Sequence, residues 1–197
     1  MLIYDCEIIK AIEDKRHPKQ EGIEYCDGWQ DHANMGISCV CCYDYDTGRY
    51  RVFLNDNDEG WDLLQYAFNH NSGPLVGFNN IGFDNKLLRA NEFVVDDSHC
   101  YDILQQIWVA DNLTPEFHYP SHIGYSLDAV LSANFPNLQK SGHGALAPVL
   151  WQQGRLGQVI DYCLEDIRLT KKVLDKILKT GRLLNPTNGQ PLKIPRP

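Results

Sequence analysis

The chain opens on an apolar run, Leu2-Ile3-Tyr4-Asp5-Cys6-Glu7-Ile8-Ile9, in which carboxylates stand at alternate positions. Side chains of a strand alternate between faces, so Asp5 and Glu7 share one face of a predicted strand over 2–9. Two further apolar runs, 35–43 and 49–54, flank Asp44-Tyr45-Asp46-Thr47-Gly48, which has the composition of a hairpin turn. Three strands in an antiparallel meander are the simplest start. Residues 13–32 are polar and rich in turn formers, and read as a long loop partly ordered by Tyr25 and Trp29.

Beyond the meander the period changes. Trp61, Leu64, Ala67 and Phe68 have amphipathic helical spacing over 60–70, and Asn71-Ser72-Gly73-Pro74 ends that helix. Leu75-Val76-Gly77-Phe78 reads as a short buried strand, 85–91 as a helix, 93–101 as another short strand, and 103–109 as a helix capped by Asp102. The strand-helix-strand order predicts an α/β domain, a mixed sheet with helices packed on it. Residues 111–124 lack periodicity and could form a lid. His118 and His122 lie there, but no cysteine or histidine cluster completes a zinc site. Short helices are expected over 126–133 and 147–153, separated by a Gly- and Pro-containing connection.

A long helix over 154–180 follows. At about 100° per residue, Leu156, Ile160, Cys163, Leu164, Ile167, Leu174 and Leu178 fall on one apolar face. Asp161, Glu165, Arg168, Lys172, Asp175 and Lys179 fall opposite. Asp166 joins neither group, lying instead on a flank with Val159, Tyr162, Leu169 and Val173. Tyr162 is four residues before Asp166, so the two side chains are neighbours.

Composition adds bounds. At 197 residues the chain is expected to form one domain over 1–184, followed by a mildly basic, frayed tail over 185–197 that carries Lys193 and Arg196. No run approaches the roughly 20 apolar residues of a membrane span, and no signal peptide precedes the first strand, so no membrane partner and a cytoplasmic location are the expectations. A net charge of −8 argues against coating nucleic acid by broad phosphate neutralisation, though not against holding a few nucleotides through bound metal. The seven cysteines are scattered, and Cys39-Val40-Cys41-Cys42 lacks zinc-site spacing; buried reduced thiols are expected.

The acids are the chemistry to explain. Burying Asp5 beside Glu7 is costly unless a cation neutralises them or one is protonated, although an exposed acid-bearing face would also fit. Asp84 follows the turn Gly77-Phe78-Asn79-Asn80-Ile81-Gly82-Phe83, whose glycines permit close approach of a ligand; it could equally serve the helix dipole.

Together these motifs resemble the DEDD family of 3′–5′ exonucleases in its tyrosine-bearing subgroup. Asp5-Cys6-Glu7 is similar to the family's first motif. The segment from Gly77 to Asp84 is similar to its second, particularly as found in the proofreading exonuclease domains of family B DNA polymerases. Tyr162-Cys163-Leu164-Glu165-Asp166 is similar to its third, and Asp161 stands where the histidine-bearing subgroup has its histidine. The motifs occur in the family's order and span most of the chain.

The resemblance implies a ribonuclease-H-like fold, with a mixed sheet flanked by helices and Asp5 and Glu7 on its central strand. It implies that Asp5, Glu7, Asp84 and Asp166 bind two divalent metal ions, Mg²⁺ or Mn²⁺, Asp5 being shared by both. Ions about 3.5–4 Å apart activate water and stabilise the leaving oxygen in phosphodiester hydrolysis. Tyr162 would orient the attacking water, and Asn79 and Phe83 match positions near the terminal nucleotide, although Phe83 also reads as core. The expected activity is removal of nucleoside 5′-monophosphates from the 3′ end of single-stranded DNA, in a stand-alone nuclease or one recruited by a replication or repair protein. An RNA exonuclease, a structure-selective endonuclease and an inactive nucleic-acid-binding module are the alternatives.

Overall fold

The computed structural model describes residues 1–13, 19–55, 58–136, 138 and 146–197, and the statements below concern these. The connection expected between the helices near 126–133 and 147–153 lies largely outside them. In chain order the elements are β1 (Leu2–Ile8), β2 (Ala11–Ile12), β3 (Tyr25–Cys26), α1 (His32–Met35), β4 (Ile37–Asp44), β5 (Arg49–Leu54), α2 (Asp58–Asn69), β6 (Leu75–Gly77), α3 (Asp84–Ala90), β7 (Cys100–Asp102), α4 (Ile103–Ala110), α5 (Leu127–Asn134), α6 (Ala147–Gln152), α7 (Leu156–Thr180), β8 (Arg182–Leu184) and β9 (Pro191–Lys193).

A five-stranded sheet of order β5-β4-β1-β6-β7 forms the centre. β4 runs antiparallel to both β1 and β5, whereas β6 is parallel to β1 and β7 to β6. This is the expected α/β architecture, a ribonuclease-H-like mixed sheet flanked by helices. The alternation of β1 divides the core. Leu2, Tyr4, Cys6 and Ile8 pack with Val40, Leu64, Leu87 and Leu88, beneath α2 and α3. Ile3 points the other way, into a core built with Ile107, Val130, Ile167, Leu174 and Ile177 from α4, α5 and α7. Each fully buried aliphatic side chain there contributes about 1.5–3 kcal/mol. Gly181, at φ +64°, closes α7 in the left-handed conformation and donates its N–H to Ile177 O at 2.7 Å. Among the described residues no helix is long and apolar enough to cross a membrane.

Several expectations are corrected. The loop over 13–32 holds β3 and the start of α1, and Met35 closes α1 instead of opening a strand. Of the strand expected over 93–101 only Cys100 and Tyr101 pair with the sheet, in β7, which runs on to Asp102. On α7 the buried face is centred differently: Leu156 is 40% exposed, while Val159, Leu169 and Val173, expected on a flank, are core. Asp166 and Tyr162 therefore border the core directly. The 111–124 segment is anchored by His122, which is buried edge-on against Trp108, its ring nitrogens 2.9 Å from Thr114 O and 3.0 Å from His118 O. Finally, the tail over 185–197 expected to fray supplies β9, which pairs with β8, and buries Leu192 and Ile194 in the core beside Leu183. Arg196 Nε donates to Leu178 O at 2.9 Å, which fastens the end to α7.

Candidate metal and nucleic-acid site

Asp5 and Glu7 lie on the face of β1 that α7 covers. Opposite them on β4 are Cys41 and Cys39, and Cys163 of α7 lies over the group. Donor atoms of Asp5, Glu7 and Cys163 all fall within 4.8 Å of one another. The Cys163 Sγ is 3.4 Å from Asp5 O and 3.7 Å from Asp5 Oδ2. Glu7 is buried and Asp5 half-buried, so the exposed-face reading of this strand does not hold.

The second acid-bearing element depends on a tight turn. β6 ends at Gly77, and the chain doubles back through Asn79, which adopts φ +69°. A Cβ on Gly77 would lie 2.5 Å from that of Asn80, so that position requires glycine, whereas one on Gly82 would meet the end of the Asn79 side chain and force it to swing aside. Asp102, buried at the start of α4, holds the turn from below. Its carboxylate accepts the N–H groups of Asn79 at 2.9 Å and Ile81 at 3.1 Å, while also capping α4 through Leu104 at 3.0 Å. Its capping role is legible in the sequence; its grip on the turn is not.

The turn delivers Asp84 to β1. Its Oδ1 accepts the Cys6 N–H at 2.9 Å, at a level of the strand beyond the end of β6. Asp84 makes no side-chain cap of α3, so the dipole alone does not account for its place. Burial pushes its carboxyl up to about 7, against the hydrogen bonds from Cys6 and with added repulsion from Asp102. Beneath it, Asn80 Nδ2 donates to Tyr4 OH at 3.0 Å, and Tyr4 OH donates to Asn85 Oδ1. This buried polar network locks the start of α3 against β1.

From α7, Tyr162 hydrogen-bonds to Asp166 and faces Glu7 and Asp5. Burial, then the negative charges of Asp166, Glu7 and Asp5, hold the phenol well above its ordinary range. It therefore keeps its proton throughout the physiological range and can orient but not deprotonate.

Asp5 and Glu7 are thus brought together, Asp84 adjoins them through the Cys6 peptide, and the Tyr162–Asp166 pair faces them from α7. Asp84 and Asp166 do not enter the compact donor set. Oxygen donors from three elements suit a hard divalent cation. Burial raises the proton affinity of both Asp84 and Tyr162, and at Tyr162 the charges of Asp166, Glu7 and Asp5 add to it, a negative field that a bound cation would neutralise.

Asn79 and Phe83 sit in the turn, both half-buried. Phe83 packs partly on the α2–α3 core, and its outer side meets Trp29, edge-on at 6.0 Å, and His32 at 5.6 Å. Trp29 is 67% exposed. An exposed indole beside this turn carries no signal in sequence, because the loop bearing it lies 54 residues from Phe83 along the chain. A separate concavity lined by Trp61, Gln65 and Phe93 sits against the α2 side and includes none of these acids.

No protein-family profile matches the chain, and no curated protein matches its sequence. Among solved structures it is similar to an ExoI/SSB-Ct complex, at 13% identity and a TM-score of 0.45, over 90% of this chain and 45% of that one. The present chain therefore spans less than half the length of that neighbour.

Proposed function

We propose that this chain is a metal-dependent exonuclease that removes nucleotides from the 3′ end of single-stranded DNA and releases nucleoside 5′-monophosphates. The observation that carries this reading is the convergence on β1 of Asp5 and Glu7 with Asp84 from α3 and the Tyr162–Asp166 pair from α7. Asp5, Glu7, Asp84 and Asp166 would hold two Mg²⁺ or Mn²⁺ ions. The chemistry supplied by the ions when bound is activation of water and stabilisation of the leaving 3′ oxygen.

The chain's own residues supply orientation. Tyr162 gives its only proton to Asp166, so toward the attacking water its oxygen can act only as a hydrogen-bond acceptor. Tyr162→Phe is therefore expected to lower kcat about 10–100-fold with little change in KM, measured by steady-state nucleotide release. The turn holding Asn79 and Phe83 would seat the terminal nucleotide, and Trp29 would extend the platform for an adjacent base. Base stacking on an aromatic ring contributes about 1–3 kcal/mol, so Trp29→Ala should raise KM roughly tenfold while kcat stays within about twofold. A comparable fall in kcat alone would remove Trp29 from the substrate path.

The proposed unit is a single exonuclease domain over 1–184, on which β9 of the following segment packs, and a replication or repair protein is a proposed recruiting partner. Linear and circular DNA of matched sequence, with a matched RNA oligonucleotide, test the assignment. Linear DNA should be shortened and the circle left intact. Cleavage of the circle would identify an endonuclease, faster loss of RNA an RNA exonuclease, and binding with no cleavage in any divalent metal an inactive module.

A further inference from the structure

We propose that Cys39, Cys41 and Cys163 form a binding site for a thiophilic divalent cation of the Zn²⁺ or Cd²⁺ class, with Asp5 as a neighbouring oxygen donor. Cys39 and Cys41 are two apart on β4 and so project together toward α7, where Cys163 meets them. All three are fully buried, and their sulfurs lie within 4.8 Å of one another. Cys6 and Cys42 belong to the core on the opposite face of the sheet.

A buried thiol ordinarily packs as a small hydrophobe, and scattered cysteines need no other account. Here three converge, and one of them abuts a carboxylate, with Cys163 Sγ 3.7 Å from Asp5 Oδ2. Thiolates bound to zinc at about 2.3 Å in a tetrahedron stand roughly 3.8 Å apart, so side-chain adjustments of about 1 Å or less would close the set. Three thiolates and a dication leave a net charge of −1, or −2 with the Asp5 carboxylate as the fourth donor, and each thiol releases its proton to solvent on binding. The half-buried Asp5 gives the ion a way in.

Sulfur and oxygen donors sort metals by softness. Mg²⁺ and Mn²⁺ suit the carboxylates, whereas Zn²⁺ and Cd²⁺ favour the sulfurs. Since Cys163 lies within 4.8 Å of the donor atoms of Asp5 and Glu7 as well, the two sets share a border. Occupation of the thiol site would draw Asp5 away from the carboxylate set. On the exonuclease reading, that switches nucleotide release off.

The test is a Cd²⁺ titration of the reduced full chain without Mg²⁺, followed by the thiolate-to-cadmium charge-transfer absorption. One ion per folded chain should produce the band. It should disappear in Cys163→Ser and Cys39→Ser, with Cys41→Ala as a further variant if either fails to fold by circular dichroism. It should persist in Cys42→Ser and in Glu7→Gln. No band in the folded wild-type protein, or an equal band after all three cysteines are replaced, overturns the site. Saturating Cd²⁺ should then lower Mg²⁺-dependent nucleotide release at least about tenfold in the wild type and far less in Cys39→Ser. Equal inhibition of both refutes the coupling. A band in a protein with no nuclease activity instead refutes the exonuclease reading and leaves the thiol site standing.

Discussion

Asp5→Asn is expected to lower Mg²⁺-dependent nucleotide release by at least about 10³-fold, or about 4 kcal/mol of transition-state stabilisation. The replacement is nearly isosteric, so the contact with Cys163 and the β1–β4 register should survive and the fold with them. What disappears is one negative charge at the point where β1, β4 and α7 meet. Proposed as the ligand common to both ions, Asp5 has no substitute among the surrounding acids, because Glu7 is held one residue along the face and Asp84 is tied to the Cys6 peptide. Steady-state kinetics beside circular dichroism check this. A folded variant within about tenfold of wild type would remove Asp5 from the centre of the mechanism.

Asp84→Asn is expected to do two opposite things: abolish activity and stabilise the metal-free protein. The folded-state pKa of Asp84, about 7, lies above the ordinary carboxylate value, so the folded chain binds the proton more tightly than the unfolded one. The stability of the metal-free wild type should therefore fall as pH rises from about 4 to about 7, a loss of about 2–4 kcal/mol from this group. Asp102, also raised by burial, acts in the same sense. Asp31, Asp44, Asp96 and Asp97, whose pKa values are lowered, act oppositely, but their contribution is lost only as pH falls below about 4.

Asparagine keeps an acceptor for the Cys6 N–H and carries no charge. Denaturant melts in chelator should show the variant about 2–4 kcal/mol more stable than wild type at pH 8 and nearly equal to it at pH 4. Adding Mg²⁺ should stabilise the wild type and not the variant. A variant no more stable than wild type at pH 8 would mean that Asp84 is already neutralised by the protein itself.

The elements most legible in the sequence were those whose pattern is local. The alternation of β1, the 44–48 hairpin, the α3 start and the length of α7 all follow from spacing within one element. Sequence and structure part where tertiary packing decides. β3 and α1 are too short for periodicity to show, and β7 has only three residues that find a partner on β6. The buried face of α7 is wider than a single stripe, because the helix crosses both β1 and β4 and presses Val159 and Val173 into the same core as Ile167. His122, for which the sequence offers no cluster to complete a zinc site, is a packed ring whose anchoring contacts periodicity does not show. Pro191 and the short polar segment around it concealed a hairpin whose Leu192 and Ile194 are core.

The candidate site divides similarly. Asp5 and Glu7 were readable because strand geometry places them together whatever the rest of the chain does. Asp84 is ambiguous in sequence because the bond that fixes its place is to Cys6, 78 residues away. Trp29 and the thiols opposite Asp5 were invisible as site features, since only the three-dimensional register joins them to it.

The most direct measurement is the digestion of a 5′-labelled single-stranded DNA oligonucleotide by the full chain in Mg²⁺, resolved by length over time. The expected result is a ladder shortening from the 3′ end, with 5′-monophosphates released, absent in excess chelator and absent with Asp5→Asn. Undiminished cleavage in excess chelator, or a ladder from Asp5→Asn equal to that of the wild type, would contradict the account.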